Sequence, residues 1–215
     1  MTRKKDERVT EATQRRYDRI AGIYDYMEGI IERLFYSDWR EDVWSQVEGK
    51  RILDVGAGTG KNIPYYPESA QVTAIDISER MLNKARRRAQ ESEKRIEIHQ
   101  MDAQNMQFKD DSFDSAVATF VFCSVPDAVM GLEEIQRVVR PGGRVVLLEH
   151  MRSKIPWLAS FMDLLDPVMV RLMGPHINRR TVENLRKTRL EIEHVEELDS
   201  LGIFKRIETR VPGVS

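Results

Sequence analysis

Residues 52–60 read ILDVGAGTG, an apolar run that breaks into three glycines at every second position. No other stretch limits the fold as tightly. Ile52, Leu53 and Val55 suit a buried strand. Glycine lets the backbone behind them take angles that other residues avoid, and lets a ligand approach the main chain closely. A glycine loop leaving a parallel strand is where open α/β sheets bind nucleotide-like ligands. The plain alternative is a tight turn that needs glycine for its shape alone. The spacing is Gly56-x-Gly58-x-Gly60, not the Gly-x-Gly-x-x-Gly of dinucleotide sites, and no Gly-Lys-Ser/Thr follows. The loop therefore favours a ligand with a nucleoside but no pyrophosphate.

From about residue 50 onward, strand-like and helix-like stretches alternate. RILDV, QVTAID, RIEIHQ, SAVATFVF and GRVVLLEH read as strands. SERMLNKARRRAQESEK reads as a helix capped by Ser78, with Met81, Leu82 and Ala85 on one side. DAVMGLEEIQRVVR reads as a second helix, stopped by Pro141-Gly142-Gly143. Such alternation predicts an α/β fold, a parallel sheet with helices on both faces. LEIEHVEEL and IFKRIETRV are joined by DSLG, which is short enough only for antiparallel strands. Two regions fall outside this core. Residues 1–47 form an N-terminal helical cap, whose apolar stripe runs through Met27, Ile30, Ile31, Leu34, Phe35, Trp39, Val43, Trp44 and Val47. Residues 48–215 form the main domain, with a Met-, Leu- and Trp-rich lid insertion near 155–178.

Composition narrows the function classes. A chain of 215 residues suits one domain with a cap, and 32% charged residues argue for a solvated surface. A net charge of −1 gives no general attraction to nucleic acid. The run Arg86-Arg87-Arg88 covers only part of one helix face, so no nucleic-acid partner is expected. Cys123 is the single cysteine, which excludes an internal disulfide. It reads as a small buried residue, not a nucleophile. No Cys/His cluster has zinc spacing, so no metal is expected. The first residues are charged and carry no apolar core, and Ile155 to Met173 holds Asp163, Asp166 and Arg171, too polar to span a bilayer. The expectation is a cytoplasmic protein, with peripheral membrane contact left open.

Ligands in such sheets bind at the carboxyl ends of the strands. The second strand ends at Asp76, whose carboxylate can accept two hydrogen bonds from a ribose diol, unless it serves as a helix cap. The third is followed by Asp102 and Ala103, where an acid can accept from an adenine amino group, unless it caps a loop. The fourth ends at Thr119 and Phe120, the fifth at Glu149 and His150. A glycine loop and two acids in this order describe an adenosine site, with S-adenosylmethionine as the candidate cofactor. Gly56, Ala57, Gly58, Gly60, Asp76, Ile77, Met81, Asp102, Ala103, Thr119 and Phe120 make up the candidate binding set.

On ILDVGAGTG, AIDIS, MDAQNMQF, DSFDSAVATFVF and VVRPGGRVVLLEH the chain resembles the class I S-adenosylmethionine-dependent methyltransferases, over roughly residues 48–210. RYDRIAGIYDYME and VFCSVPDAVMGLEEIQRVVRPGGRVVLLEHMRS resemble the small bacterial phosphatidylethanolamine N-methyltransferases and the ubiquinone/menaquinone C-methyltransferases. The second stretch is also similar to animal methyltransferase-like proteins that methylate alkyl thiols. The resemblance implies a Rossmann-like seven-stranded sheet with its last strand antiparallel. It also implies that the three glycines adjoin the methionine moiety, Asp76 the ribose, and Asp102 and Ala103 the adenine.

Methyl transfer from a sulfonium needs mainly alignment, which explains why no Ser-His-Asp or metal constellation stands out. An amine acceptor must first lose its proton. Candidate bases are Glu149, His150, His176, Tyr17 and Tyr24. Of these, Tyr24 and His150 are the expected catalytic pair, and Tyr24 is also expected to touch the sulfonium by cation–π attraction. The expected function is methylation of a hydrophobic or lipid-like acceptor, with phosphatidylethanolamine first. Quinone C-methylation and small-thiol S-methylation are alternatives, and a non-catalytic S-adenosylmethionine-binding module is the remote one. The two apolar elements outside the sheet are expected to close over the cofactor as an acceptor pocket. Oligomeric state is not legible.

Overall fold

The computed structural model describes residues 9–19, 21–22, 36–172 and 176–213. Helix α1 covers residues 9–19, and α2 covers Ser37–Ser45. The main domain then runs β1 (Arg51–Val55), β2 (Gln71–Asp76), α3 (Glu79–Gln90), β3 (Arg95–Gln100) and β4 (Phe113–Thr119). It continues through α4 (Ala128–Val138), β5 (Val139–His150), α5 (Pro156–Leu172), α6 (Thr181–Leu185), β6 (Glu191–Glu197) and β7 (Phe204–Arg210). Of the apolar stripe expected in the cap, Met27 to Phe35 lie outside the described residues, while Val43 and Trp44 are buried in the core.

The strands form one seven-stranded sheet in the order β3-β2-β1-β4-β5-β7-β6. Pairings from β3 through β5 are parallel, and β7 runs antiparallel to both β5 and β6. The α/β architecture with a terminal antiparallel strand is therefore as the sequence predicts. Its central strands are buried on both faces. Val145 and Leu147 of β5 face one cluster with Leu132 and Ile135 of α4. Val146 and Leu148 face the other with Val43 and Trp44 of α2. This is why these strands read as continuous apolar runs rather than as an alternation. The outer strands carry charge instead: β6 exposes Glu191, Glu193, His194 and Glu197, which discourages pairing with other chains.

Two boundaries differ from expectation. The fourth strand stops at Thr119, because Phe120 turns out of it with φ +59°. Helix α4 ends at Val138, before Pro141-Gly142-Gly143 rather than at it. Val139 already pairs with Phe113, and the proline-glycine stretch lies in the register shift between Phe113 and Ser115.

Leu147 is fully buried in the α4 side of the core. Leu147→Ala should lower unfolding free energy by about 2–5 kcal/mol, the usual cost of a buried leucine truncation. A urea titration checks this, and an unchanged midpoint would contradict the packing described.

Candidate active site

The strand order reverses between β1 and β4: β2 and β3 lie on one side of β1, β4 and β5 on the other. At the carboxyl ends of these strands lies a cavity of about 900 Å³, measured out to its open mouth. Such a reversal is where open sheets place ligands. Its wall is built from the loops after β1 to β4, from Arg40 of α2, and from Thr13 and Tyr17 of α1.

The loop after β1 is tied across to β2. Ala57 N–H donates to the Ile75 carbonyl (2.9 Å), and Gly58 N–H donates to Asp76 Oδ2 (2.9 Å). Gly58 has φ +56°, and a Cβ there would project into open space. It lies on the cavity wall, so that space is part of the cavity. Gly60 differs. At φ +84°, its added Cβ would meet Ile63 Cδ1 at 2.7 Å and Ala85 Cα at 3.0 Å. It permits helix α3 to pack behind the loop and does not line the cavity.

Asp76 holds two elements at once. Oδ2 accepts from Gly58, and Oδ1 accepts from Ser78 N–H (2.8 Å) at the start of α3. Ser78 Oγ caps that helix by accepting from Met81 N–H, so the capping alternative for Asp76 falls to Ser78. A carboxylate offers about four lone-pair sites, so about two stay available for a diol. Burial pushes Asp76 up to about 6, opposed by the backbone N–H groups of Ser78, Gly58 and Ile77. Asp102 stands where the loop after β3 meets the cavity. Its Oδ1 also accepts from Gln104 N–H (2.9 Å), which fixes its loop.

Helix α1 crosses over these loops. Gln104 Nε2 donates to Thr10 Oγ1 (3.2 Å), Ser78 Oγ donates to Asp18 (2.6 Å), and the Tyr17 hydroxyl hydrogen-bonds Ser124. Three strand-end loops are thus bridged by side chains spaced along one helix.

The fourth wall turns on Phe120. A positive φ on a bulky residue is an outlier costing about 1–2 kcal/mol. Several contacts hold it. Phe120 N–H donates to Leu148 O (2.7 Å), and Glu149 Oε1 accepts from the N–H groups of Val121 and Phe122 (3.0 Å each). The ring packs on Tyr36 with centroids 4.8 Å apart. Burial pushes Glu149 up to about 7, against those two N–H bonds. Burial likewise pushes Cys123 up to about 12, in keeping with an inert thiol. Beneath the cavity, buried Arg40 donates from Nη1 to Asn62 Oδ1 (2.7 Å) and Thr119 Oγ1 (2.9 Å). Asn62 Nδ2 in turn donates to both oxygens of Asp54 (3.0 Å each).

The structure thus brings Gly56, Ala57, Gly58, Asp76, Ile77, Met81, Asp102, Ala103, Thr119 and Phe120 to one cavity. Gly60 stands behind the loop, for the packing reason given. His150 is also off the wall. It sits edge-on to Phe204 (5.3 Å), and burial lowers its pKa, which fits a packed neutral ring. Tyr24 lies outside the described residues. Sequence reasoning missed Thr13, Arg40, Lys61 and Ser124. Arg40 sits inside an otherwise apolar helical stripe, and that interruption was the one available signal.

A second groove adjoins the cavity and shares Thr13, Ser124 and Pro126 with it. Arg16, His176, Arg179 and Lys187 give it a basic wall, and Val9, Met130 and Val170 an apolar one. Helix α5 does not close over the cavity as the sequence suggested. None of its residues reaches the cavity wall. It buries Ala159, Met162 and Asp166 and turns Trp157, Phe161, Leu164 and Val168 outward. No helix among the described residues is long and apolar enough to cross a membrane.

Residues 53–147 match the family model described as a methyltransferase domain. The chain is 38% identical to a phosphatidylethanolamine N-methyltransferase of Cereibacter sphaeroides, over 69% of this chain and 73% of that one. It is 34% identical to a demethylmenaquinone methyltransferase of Clavibacter sepedonicus, over 74% and 67% of the respective chains. Among solved structures it is similar to an S-adenosylmethionine-dependent methyltransferase from Thermotoga maritima. That match has a TM-score of 0.72 and 20% identity, and covers 92% of this chain and 99% of that one.

Gly58→Val should abolish S-adenosylhomocysteine binding by filling the cavity while leaving a folded protein. Gly60→Ala should mainly lower the melting temperature through the clash with α3. Calorimetric titration and thermal melts separate the two, and full binding by the valine variant would empty the loop of its ligand role.

The raised Glu149 carboxyl also sets a pH dependence. Folded protein keeps a proton that the unfolded chain releases at its ordinary value of 4.5, so this contribution falls as pH rises from about 4.5 to 7. Glu149→Gln removes it, on the order of 3 kcal/mol over that window. The variant should therefore gain on the native protein between pH 5 and pH 8 in denaturant titrations. Parallel pH profiles would show that Glu149 does not hold that proton.

Proposed function

The chain belongs to the S-adenosylmethionine-dependent methyltransferases, and on that premise we propose that it methylates the amine of a phosphatidylethanolamine-like lipid at a membrane surface. S-adenosylmethionine, when bound, supplies a methyl group already activated on a sulfonium. The cavity residues fit it, since the space before Gly58 admits a ligand and Asp76 keeps acceptor capacity beyond its two backbone bonds. In this reading Asp76 receives the ribose hydroxyls, and Asp102 and Ala103 adjoin the adenine. Gly56 to Gly58 pass the methionine chain. Ile77, Met81 and Phe120 exclude water around it.

The outward face of α5 carries the lipid part of the reading. Trp157, Phe161, Leu164 and Val168 are 71%, 51%, 73% and 53% exposed. Their spacing of four, three and four residues puts them on one side of the helix. Each large apolar side chain removed from water contributes about 1.5–3 kcal/mol, so four together suit an interfacial helix. The basic groove leads from Val170, near the end of α5, to the cavity at Thr13 and Ser124. Its cations suit a phosphate beside the reacting amine. Tyr17 and Ser124 stand on the cavity wall near that junction and would orient the amine as its proton leaves to solvent. Quinone C-methylation is the second reading, favoured by the demethylmenaquinone relative. Its acceptor is also amphiphilic but lacks a phosphate.

Labelled S-adenosylmethionine should transfer methyl groups to phosphatidylethanolamine in vesicles, and less to a demethylated quinone in the same vesicles or to a soluble thiol. A preference for the quinone would move the reading to the alternative. Trp157→Ser with Phe161→Ser should reduce vesicle flotation at least tenfold, since each side chain contributes about 1.5–3 kcal/mol, with S-adenosylhomocysteine affinity unchanged. Undiminished flotation would remove α5 from the membrane contact.

A further inference from the structure

Asp166 is a buried carboxylate on α5, only 8% exposed, and it lies on the wall of neither the cavity nor the groove. Both of its oxygens are engaged by the segment that follows that helix. Oδ1 accepts from Ile177 N–H (2.8 Å), and Oδ2 meets His176 Nδ1 (2.8 Å). A carboxylate can only accept, so Nδ1 carries a hydrogen, and in the neutral ring Nε2 keeps its lone pair. The same segment is fastened to the loop after β4. His176 N–H donates to Cys123 O (2.9 Å), and Arg179 Nη2 donates to Val125 O (2.8 Å). Ser124 and Val125 of that loop line the cavity, while His176 lines the adjoining groove with its side chain 38% exposed. Nε2 is therefore the ring nitrogen left for a group that enters by the groove.

We propose that His176 Nε2 takes the proton that the acceptor amine must lose before methyl transfer, with Asp166 as its positioning residue. The inference rests on the acceptor being an amine, as read above. An alkyl amine reaches the groove as an ammonium at neutral pH, and its lone pair is unavailable until a proton leaves. Nε2 accepts that proton. The freed lone pair then bonds the methyl carbon as the carbon–sulfur bond breaks, and the electron pair of that bond stays on sulfur. The products are the methylated ammonium and the neutral thioether S-adenosylhomocysteine, and the imidazolium returns its proton to water at the groove. The other bases weighed from the sequence are less well placed. Glu149 is fully buried with Oε1 given to two backbone N–H groups, and His150 packs on Phe204. Tyr17 is a phenol, a weak base until it is ionised. The charged groups around the imidazole are Asp166 behind it, Arg179 of its own segment, Arg16 of α1, Lys187 after α6 and Asp127 before α4.

The test compares native protein with His176→Ala and Asp166→Asn. Three quantities are measured: methyl transfer to phosphatidylethanolamine in vesicles, vesicle flotation, and calorimetric binding of S-adenosylhomocysteine. His176→Ala should lower kcat at pH 7 about 10²- to 10⁴-fold, the range of a general base, and leave flotation and S-adenosylhomocysteine affinity within about twofold. The deficit should shrink as pH approaches the amine's own range, about 10, where free amine forms without help. A native kcat in the alanine variant at pH 7 would overturn the proposal. A deficit that stays constant up to that range would make His176 a structural residue and would overturn it too. Long-range proton–nitrogen NMR spectra test the native protein directly, and should show hydrogen on Nδ1 and a bare Nε2 in the neutral ring. Asp166→Asn, whose amide can donate to Nδ1, should move the hydrogen to Nε2 and lower kcat in the same sense. Hydrogen on Nε2 of the native ring would overturn the assignment whether or not the alanine variant folds. If native protein and both variants methylate the lipid equally, this proposal fails and the acceptor reading stands. If native protein methylates no amine, the acceptor reading fails and the proposal with it.

Discussion

One carboxylate ties the cofactor end of this molecule together. Asp76 closes β2 and accepts N–H groups from the glycine loop of β1 and from the first residue before α3. These are charge-assisted bonds, roughly twice as strong as neutral ones. They fix the loop whose Gly58 faces the cavity, and they set where α3 begins. Ser78 then passes the constraint to α1 through Asp18. Strand, loop and two helices are therefore positioned around the point where a ribose would lie. The cost is a carboxylate burial pushed up to about 6, which still leaves it ionised at neutral pH.

The opposite wall is organised by strain. Phe120 turns the chain sharply out of β4 in a conformation unfavourable for its side chain. Glu149, at the end of the neighbouring strand, receives the next two amides and holds the turn. The turn sends the Phe120 ring toward Tyr36, while Val121 and Ser124 face the cavity. A regular continuation of β4 would have carried these residues past the site. Strained residues persist where their surroundings over-determine them, and here two strand ends and an aromatic cluster do so.

How much of this was legible depends on how local each cause is. The sheet was readable because strands buried on both faces leave unbroken apolar runs, and the β6–β7 hairpin because DSLG is too short for a crossover. That Asp76 and Asp102 reach the cavity wall was readable because the carboxyl ends of parallel strands open on one side of the sheet. Gly60 was not separable from Gly58, since spacing alone cannot show that one faces α3 and the other open space. Arg40 was hidden because its role depends on Asn62, Thr119 and Asp54, which meet it only in three dimensions. His150 is still within β5, paired with Phe204, and a strand end does not show which face of the sheet its ring meets. Helix α5 read as a lid because its composition is apolar. Which of its faces meets the core is set by packing at Ala159 and Met162, and periodicity does not choose between two apolar faces.

The two openings of the site impose opposite demands, and α1 answers both. The cavity is charged at its ends and needs water excluded from its middle. The groove sets Arg16, Arg179 and Lys187 beside Val9, Met130 and Val170, with Asp127 also on its wall. Thr13 of α1 belongs to the walls of both. Hydrogen bonds join α1 to the loops after β2, β3 and β4, between Thr10 and Gln104, Tyr17 and Ser124, and Asp18 and Ser78, and Asp18 also accepts from Arg80 of α3. Hydrogen bonds of this kind contribute about 0.5–1.5 kcal/mol each, more where one partner is charged. The sheet fixes the loops that line the cavity, and α1 lies where cavity and groove meet.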